Sequence, residues 1–214
     1  RKLMNEKLTL TGSVRYDKNQ NFEGRFTPRA TAVYQLNKNN NIRLSFQTAY
    51  RFPSTQQQWI NLNVGGNVQL IGGVPNFTTF YKFNTNPIYS LESIQSGSPK
   101  VTTFPTFKAE SVTSYELGYK GLVANNKLLI DIYGYYGQYQ NFTVRQLVAQ
   151  SNNGNPSVFS NPANLTNPNV TRLFSVPTNT TSKVTTYGYG IGLEYRLPFN
   201  FYVNANASSD ILQD

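Results

Sequence analysis

Alternate residues from Thr185 to Leu197 fall into two classes. Tyr187, Tyr189, Ile191, Leu193, Tyr195 and Leu197 occupy one set, and Gly188, Gly190, Gly192, Glu194 and Arg196 the other. Successive side chains of a strand point to opposite faces, so this spacing predicts a strand apolar on one side and small or polar on the other. The pattern recurs along the chain. About Leu8 to Asp17, Leu8, Leu10, Val14 and Tyr16 oppose Thr9, Thr11, Ser13 and Arg15. About Ile42 to Phe52, Ile42, Leu44, Phe46, Tyr50 and Phe52 oppose Arg43, Ser45, Gln47, Ala49 and Arg51. About Ser111 to Gly121, Tyr115, Leu117 and Tyr119 oppose Ser114, Glu116, Gly118 and Lys120. Leu128, Ile130 and Ile132 open a further strand that enters the aromatic cluster Tyr133, Tyr135, Tyr136, Tyr139 and Phe142. Residues 25–35 alternate less cleanly, and Pro28 confines them to an edge, a bulge or a strand end. Phe199, Phe201, Val203 and Ala205 against Tyr202, Asn204 and Asn206 begin a seventh strand.

The connections run short and long by turns. Asn37 to Asn41, Leu122 to Lys127 and Pro198 to Asn200 read as tight turns. Pro53 to about Glu110 shows no sustained alternation beyond a short hairpin expected near Val68 to Ile71, and about Leu147 to Thr181 is turn chemistry throughout, with S-N-N-G-N-P and N-P-A-N-L-T-N-P-N. Such a rhythm suits an outer-membrane barrel with tight periplasmic turns and long extracellular loops. The expectation is an all-β chain, an antiparallel transmembrane β-barrel portion spanning 1–214, with 53–110 and 147–181 as long extracellular loops. About seven strands is an odd number for a bacterial family that uses even ones, so the chain is expected to stop mid-wall, its remaining strands lying elsewhere.

Composition changes the picture in three places. Mean hydropathy is negative, which a barrel wall tolerates because only alternate residues face lipid. No run approaches the roughly 18 apolar residues of a membrane helix. The start, R-K-L-M-N-E-K-L-T-L-T, lacks the apolar run of a signal peptide, so the chain reads as processed or as an internal piece. The sequence has no cysteine and no histidine, which removes disulfides, Cys-ligated zinc and every His-based catalytic arrangement. The net charge of +9 is local: residues 1–52 carry ten Lys and Arg against three acids. Single basic residues spaced along strands fit a polar lumen or an anionic lipopolysaccharide surface, not a nucleic-acid patch.

Three segments carry a family resemblance. R-F-T-P-R-A-T-A-V-Y-Q-L followed by N-I-R-L-S-F-Q-T-A-Y-R-F-P-S resembles the hairpin of TonB-dependent outer-membrane receptors that ends in an aromatic-Arg-aromatic-Pro-Ser run before a large outer loop. K-A-E-S-V-T-S-Y-E-L-G-Y-K-G is similar to the strand that returns from that loop, and L-L-I-D-I-Y-G-Y-Y-G-Q-Y-Q-N-F to the next ascending one. Together they cover about residues 25–145. The resemblance implies a 22-stranded barrel, a plug domain inside it, and residence in the bacterial cell outer membrane among lipid and lipopolysaccharide. It also implies uptake of a scarce nutrient, such as a siderophore complex, vitamin or oligosaccharide, driven by the TonB complex through a plug and N-terminal box that this sequence does not contain. It implies no enzyme activity, cofactor or nucleic-acid partner. The alternative is a secreted or surface β-sandwich, a carbohydrate-binding or adhesin module whose apolar strand faces meet in a dry core.

Candidate site residues follow from the two faces and the long loops. Arg43, Arg51, Glu116, Lys120, Glu194 and Arg196 fall on polar strand faces and are candidates to face the lumen and plug; the competing reading is solvated charge on an inward wall. The first long loop carries aromatic residues among amides, and Trp59, Phe80, Tyr81 and Tyr89 are candidates to bind ligand, against their serving as the loop's own small core. The low net charge of 53–110 favours a neutral ligand. Gly188, Gly190 and Gly192, lying within a strand, are read as leaving room for a plug and not as a phosphate loop. Glu92, Glu110 and Asp131 lack the scaffold of a glycosidase pair. No metal ligands are expected.

Overall fold

The computed structural model describes residues 2–214. Its strands are β1 (Lys2–Leu3), β2 (Leu8–Asn19), β3 (Phe22–Asn37), β4 (Asn40–Arg51), β5 (Asn61–Asn63), β6 (Val68–Ile71), β7 (Ile88–Ser90) and β8 (Val101–Thr102). They continue with β9 (Glu110–Val123), β10 (Leu128–Gln140), β11 (Thr143–Ser151), β12 (Thr171–Asn179), β13 (Thr185–Arg196) and β14 (Tyr202–Gln213). Three one-turn helices, α1 (Thr55–Trp59), α2 (Asn76–Phe80) and α3 (Leu91–Gln95), lie between β4 and β8. The chain divides into two units: 1–51, 110–140 and 182–214 form the first, 52–109 and 141–181 the second.

The first unit is one antiparallel sheet, ordered β1-β2-β3-β4-β9-β10-β13-β14. Each of its seven long strands has 12 to 16 residues, enough for the roughly 9–11 of a tilted membrane strand. Register keeps the two side-chain classes apart across neighbouring strands. Ala32, Leu44, Leu117, Gly134, Tyr189 and Ser209 form one row across six strands. On the apolar face Leu44, Tyr115 and Leu117 are each more than half exposed. A β-sandwich core would bury residues of this kind.

The tight turns after β3 and β9 adjoin each other, with Asn39 Nδ2 donating to Asn126 Oδ1 at 2.6 Å. Ala124, Asn125 and Asn126 all take positive φ there, a conformation that asparagine tolerates better than most residues. Pro28 sits where the β3–β4 ladder ends: the last registered pair toward β4 is Arg29 with Gln47. Beyond it, β3 is paired on the β2 side alone, so the missing N–H is tolerated as at an edge. The turn before β14 includes Phe199, at φ 60°, and the seventh strand starts at Tyr202, later than the alternation alone indicates.

The second unit is a six-stranded sheet of order β5-β6-β12-β11-β7-β8. The expected hairpin near Val68–Ile71 is present as β5–β6. Residues 147–181, expected to be turns, instead contain most of β11 and all of β12, paired over nine residues. Their side chains are buried on both faces. Ile71, Phe83, Ile88, Val148, Phe174 and Val176 pack on one side, and Tyr89, Ile94, Ala149, Phe159 and Leu165 on the other. The two long connections therefore build a domain with its own core.

Candidate functional site

Two places carry chemistry: the polar face of the long sheet and the surface of the second unit. On the polar face the strand register sets oppositely charged residues beside each other. Arg43 Nη2 lies 2.8 Å from Glu116 Oε1, Arg51 3.3 Å from Glu110, and Lys120 Nζ 3.2 Å from Asp131. Lys120 stands directly opposite Asp131, and Arg51 opposite Glu110. Arg43 stands opposite Gly118, and a Cβ there would come within 3.2 Å of Nη2. The glycine leaves the guanidinium free to reach diagonally to Glu116.

Four of the six lumen candidates thus form cross-strand ion pairs within the sheet, Arg43 and Glu116 with each other. Their charge is already balanced, which leaves them as paired, partly exposed groups on one face of the sheet. Arg196 donates to Asn200 Oδ1 at 2.8 Å and lies over the Tyr202 ring. Glu194 is registered opposite Asn204. Glu110 and Asp131 are in separate ion pairs, with Arg51 and Lys120 respectively.

Two of the three β13 glycines, Gly188 and Gly190, have no open space above them, whereas at Gly192 the nearest atom to an added Cβ is 3.8 Å away. A Cβ on Gly190 would fall 2.6 Å from the Tyr133 ring, and one on Gly188 would meet Tyr135 at 2.9 Å and Ser209 O at 2.3 Å. The space they leave is filled by tyrosines of β10, the neighbouring strand, as when an aromatic ring covers a strand glycine.

In the second unit the aromatic candidates separate by exposure. Tyr89 is 7% exposed and packs on Phe159 with ring centroids 5.1 Å apart; it belongs to the core, which corrects its assignment to ligand. Trp59 and Phe80 are exposed. Tyr81 is half-buried against Phe174 and Phe83, and its hydroxyl donates to Asn61 Oδ1 at 2.6 Å. A cleft of about 290 Å³ is lined by Phe80, Tyr81, Lys82, Asn86, Gln150, Asn152 and Arg172. Sequence reading missed all but two of these. The other five are single polar residues scattered over three segments, and only the pairing of β11 with β7 and β12 brings them together.

Arg145 is a structural cation of this unit. Its Nε donates to Ser175 Oγ at 2.9 Å and its Nη2 to Ser175 O at 2.8 Å. Burial lowers its pKa from the ordinary value, yet a guanidinium has enough margin to stay charged. A larger recess, about 680 Å³, lies on the apolar face of the long sheet beside Leu10, Ala30, Ala32, Leu44 and Leu117. It arises where Gly12 and two alanines leave the surface low, and it offers little to orient a polar ligand. Among the described residues there is no cluster suited to a metal ion and no helix long and apolar enough to cross a membrane.

The family model for the TonB-dependent receptor-like β-barrel matches residues 2–212. The chain belongs to this family. Its members are outer-membrane receptors and transporters, not enzymes. Among solved structures, the FrpB iron transporter from Neisseria meningitidis (F3-3 variant) aligns with a TM-score of 0.52 and 13% identity, over 97% of this chain and 24% of that one. The siderophore receptor PirA from Acinetobacter baumannii gives 0.52 and 15%, over 90% and 24%. At these identities the likeness is one of fold. The chain spans 24% of the length of each, so it corresponds to part of a TonB-dependent receptor barrel. No curated protein matches the sequence.

Proposed function

We propose that the chain is a stretch of barrel wall, with an outer-loop domain, from a bacterial outer-membrane receptor that imports a scarce nutrient by TonB-driven transport. The observation that carries this reading is the sheet with two incompatible faces. One is apolar and exposed, as lipid contact requires; the other is lined with paired charges, as a wet lumen requires. In this scheme the second unit captures the ligand at the cell surface. The ligand then passes to a plug, and force transmitted from TonB through that plug opens a path. The nutrient would be a siderophore complex, vitamin or oligosaccharide, and the surroundings outer-membrane lipid and lipopolysaccharide.

The test uses the full-length parent. It should fractionate with the outer membrane, run with heat-modifiable gel mobility, and lose nutrient uptake when TonB is deleted. Removing residues 52–109 and 141–181 together should abolish ligand binding and leave the barrel inserted. A parent that stays in the aqueous phase as a cooperative monomer would sink the proposal.

A further inference from the structure

The lining of the cleft in the second unit has a consistent chemical sign. Lys82 and Arg172 both border it, and no acidic side chain does. The unit as a whole carries five cations, Lys82, Lys100, Lys108, Arg145 and Arg172, against one acid, Glu92, a net charge of +4. This revises the near-neutral charge of 53–110, because Glu110 belongs to the long sheet, paired with Arg51, while Arg145 and Arg172 come from the other connection.

The backbone of the cleft is fixed by hydrogen bonds, and Arg172 is held over an aromatic ring. Lys82 follows α2 at φ 56°, and its carbonyl accepts from Thr85 and Asn86 N–H groups at 3.0 and 2.8 Å. Arg172 lies over the Tyr81 ring, 5.9 Å from its centroid. Gln150, only 5% exposed, donates from Nε2 to Tyr81 O and Asn86 O, fixing both sides of the recess. Asn86 donates from Nδ2 to Ser151 O, which leaves its buried Oδ1 as an acceptor without a hydrogen-bond partner. A smaller cleft on the other side of Arg172 is bordered by Thr171, whose buried Oγ1 is also unpartnered. Groups of that kind are costly unless a ligand or water completes them.

We propose that this cleft binds a small hydroxylated carboxylate, of which a hexuronate is the type. The carboxylate is held by Lys82 and Arg172, the hydroxyls by the amides of Asn86 and Asn152, and the apolar face of the ligand by Phe80. Charge-assisted hydrogen bonds to a carboxylate are about twice as strong as neutral ones, so the acid group dominates recognition. The volume suits one small ligand unit. This inference rests on the receptor reading only in taking the second unit as the capture domain.

The test is titration calorimetry of the full-length parent in detergent micelles with galacturonate, galactose and acetate. Galacturonate should bind at least about tenfold tighter than galactose, which lacks the charge, and than acetate, which lacks the hydroxyls. Lys82→Gln and Arg172→Gln should each weaken galacturonate about tenfold, and Lys100→Gln should leave it unchanged. Arg172 lies in a strand, whereas Lys82 is exposed in a loop, so its substitution reads the charge without disturbing strand pairing. Displacement of galacturonate by purified lipopolysaccharide would assign the same chemistry to the membrane's own acidic sugars; its absence would assign it to an incoming solute.

Equal affinity for galacturonate and galactose, or unchanged affinity in both variants, overturns the proposal. The receptor reading is judged separately: a heat-modifiable, inserted parent with no preference for the acid sinks the subsite alone. A soluble parent that does prefer it sinks the receptor and leaves the subsite.

Discussion

Tyr135 of β10 donates its phenol hydroxyl to Asp210 of β14, passing over Gly188 of the strand between them. The three residues occupy one row of the sheet, with Tyr135 opposite Gly188 and Gly188 opposite Asp210. The bond therefore joins strands that share no ladder, and it exists because the middle position has no side chain. One row on, Tyr133 covers Gly190 in the same way.

Replacing Gly190 by alanine drives a methyl group into the Tyr133 ring, and replacing Gly188 drives one against Ser209 O and the Tyr135 ring. Gly188→Ala and Gly190→Ala should each destabilise the sheet by about 1–3 kcal/mol, the cost of overpacking. The measurement is the temperature at which the parent loses its heat-modifiable form. Gly192→Ala is the control: the nearest atom to the new methyl is 3.8 Å away, and its transition should not move. Tyr135→Phe removes only the hydrogen bond and should cost about 0.5–1.5 kcal/mol.

The Arg43 and Glu116 side chains are 35% and 29% exposed, so water screens much of their attraction. A double-mutant cycle with Arg43→Ala and Glu116→Ala should give a coupling of about 0.2–1 kcal/mol. That coupling should shrink as salt rises. Coupling of several kcal/mol, insensitive to salt, would mean that the lining is dry.

Leu117 is 57% exposed on the apolar face. If lipid covers that face, Leu117→Arg should cost up to about 2–4 kcal/mol, depending on its depth in the bilayer. Refolding yield of the parent into vesicles reports it. An unchanged yield would argue that this face meets water.

Phe174 is fully buried in the second unit, in ring contact with Tyr81 and Phe83. Phe174→Ala should destabilise the unit by about 3–5 kcal/mol. Limited proteolysis should then cut within 141–181, while heat-modifiable mobility of the barrel persists. Loss of both together would show that the two units fold as one.

The long strands were legible because each has one apolar face and one polar face, which writes a period of two into the sequence. β11 and β12 were illegible for the opposite reason. Residues 148–151 and 174–178 are buried consecutively, so both faces are covered and no alternation survives. Their buried positions also include Gln150, Ser151, Ser175 and Pro177, residues that read as loop. The glycine pairs show the same limit. Gly65 and Gly66 adopt positive φ between β5 and β6, the conformation for which a turn needs glycine. Gly72 and Gly73 look identical in sequence but serve close packing: a Cβ on Gly72 would lie 1.9 Å from Gln58 O, and one on Gly73 2.4 Å from the Phe107 ring. The cleft around Arg172 depends on such long-range pairing and left no local signature.

In the six-stranded sheet, β11 and β12 from the later connection lie between β6 and β7 from the earlier one. β12 joins β6 in parallel, and β11 joins β7 antiparallel. Neither connection can keep its partners without the other. Natural recombination that exchanged one connection for a homologous stretch would leave unmatched strand edges and an opened core. New ligand preferences in this lineage should therefore arise by substitutions within the domain, or by replacement of both connections in one event, with residues 110–140 between them carried along.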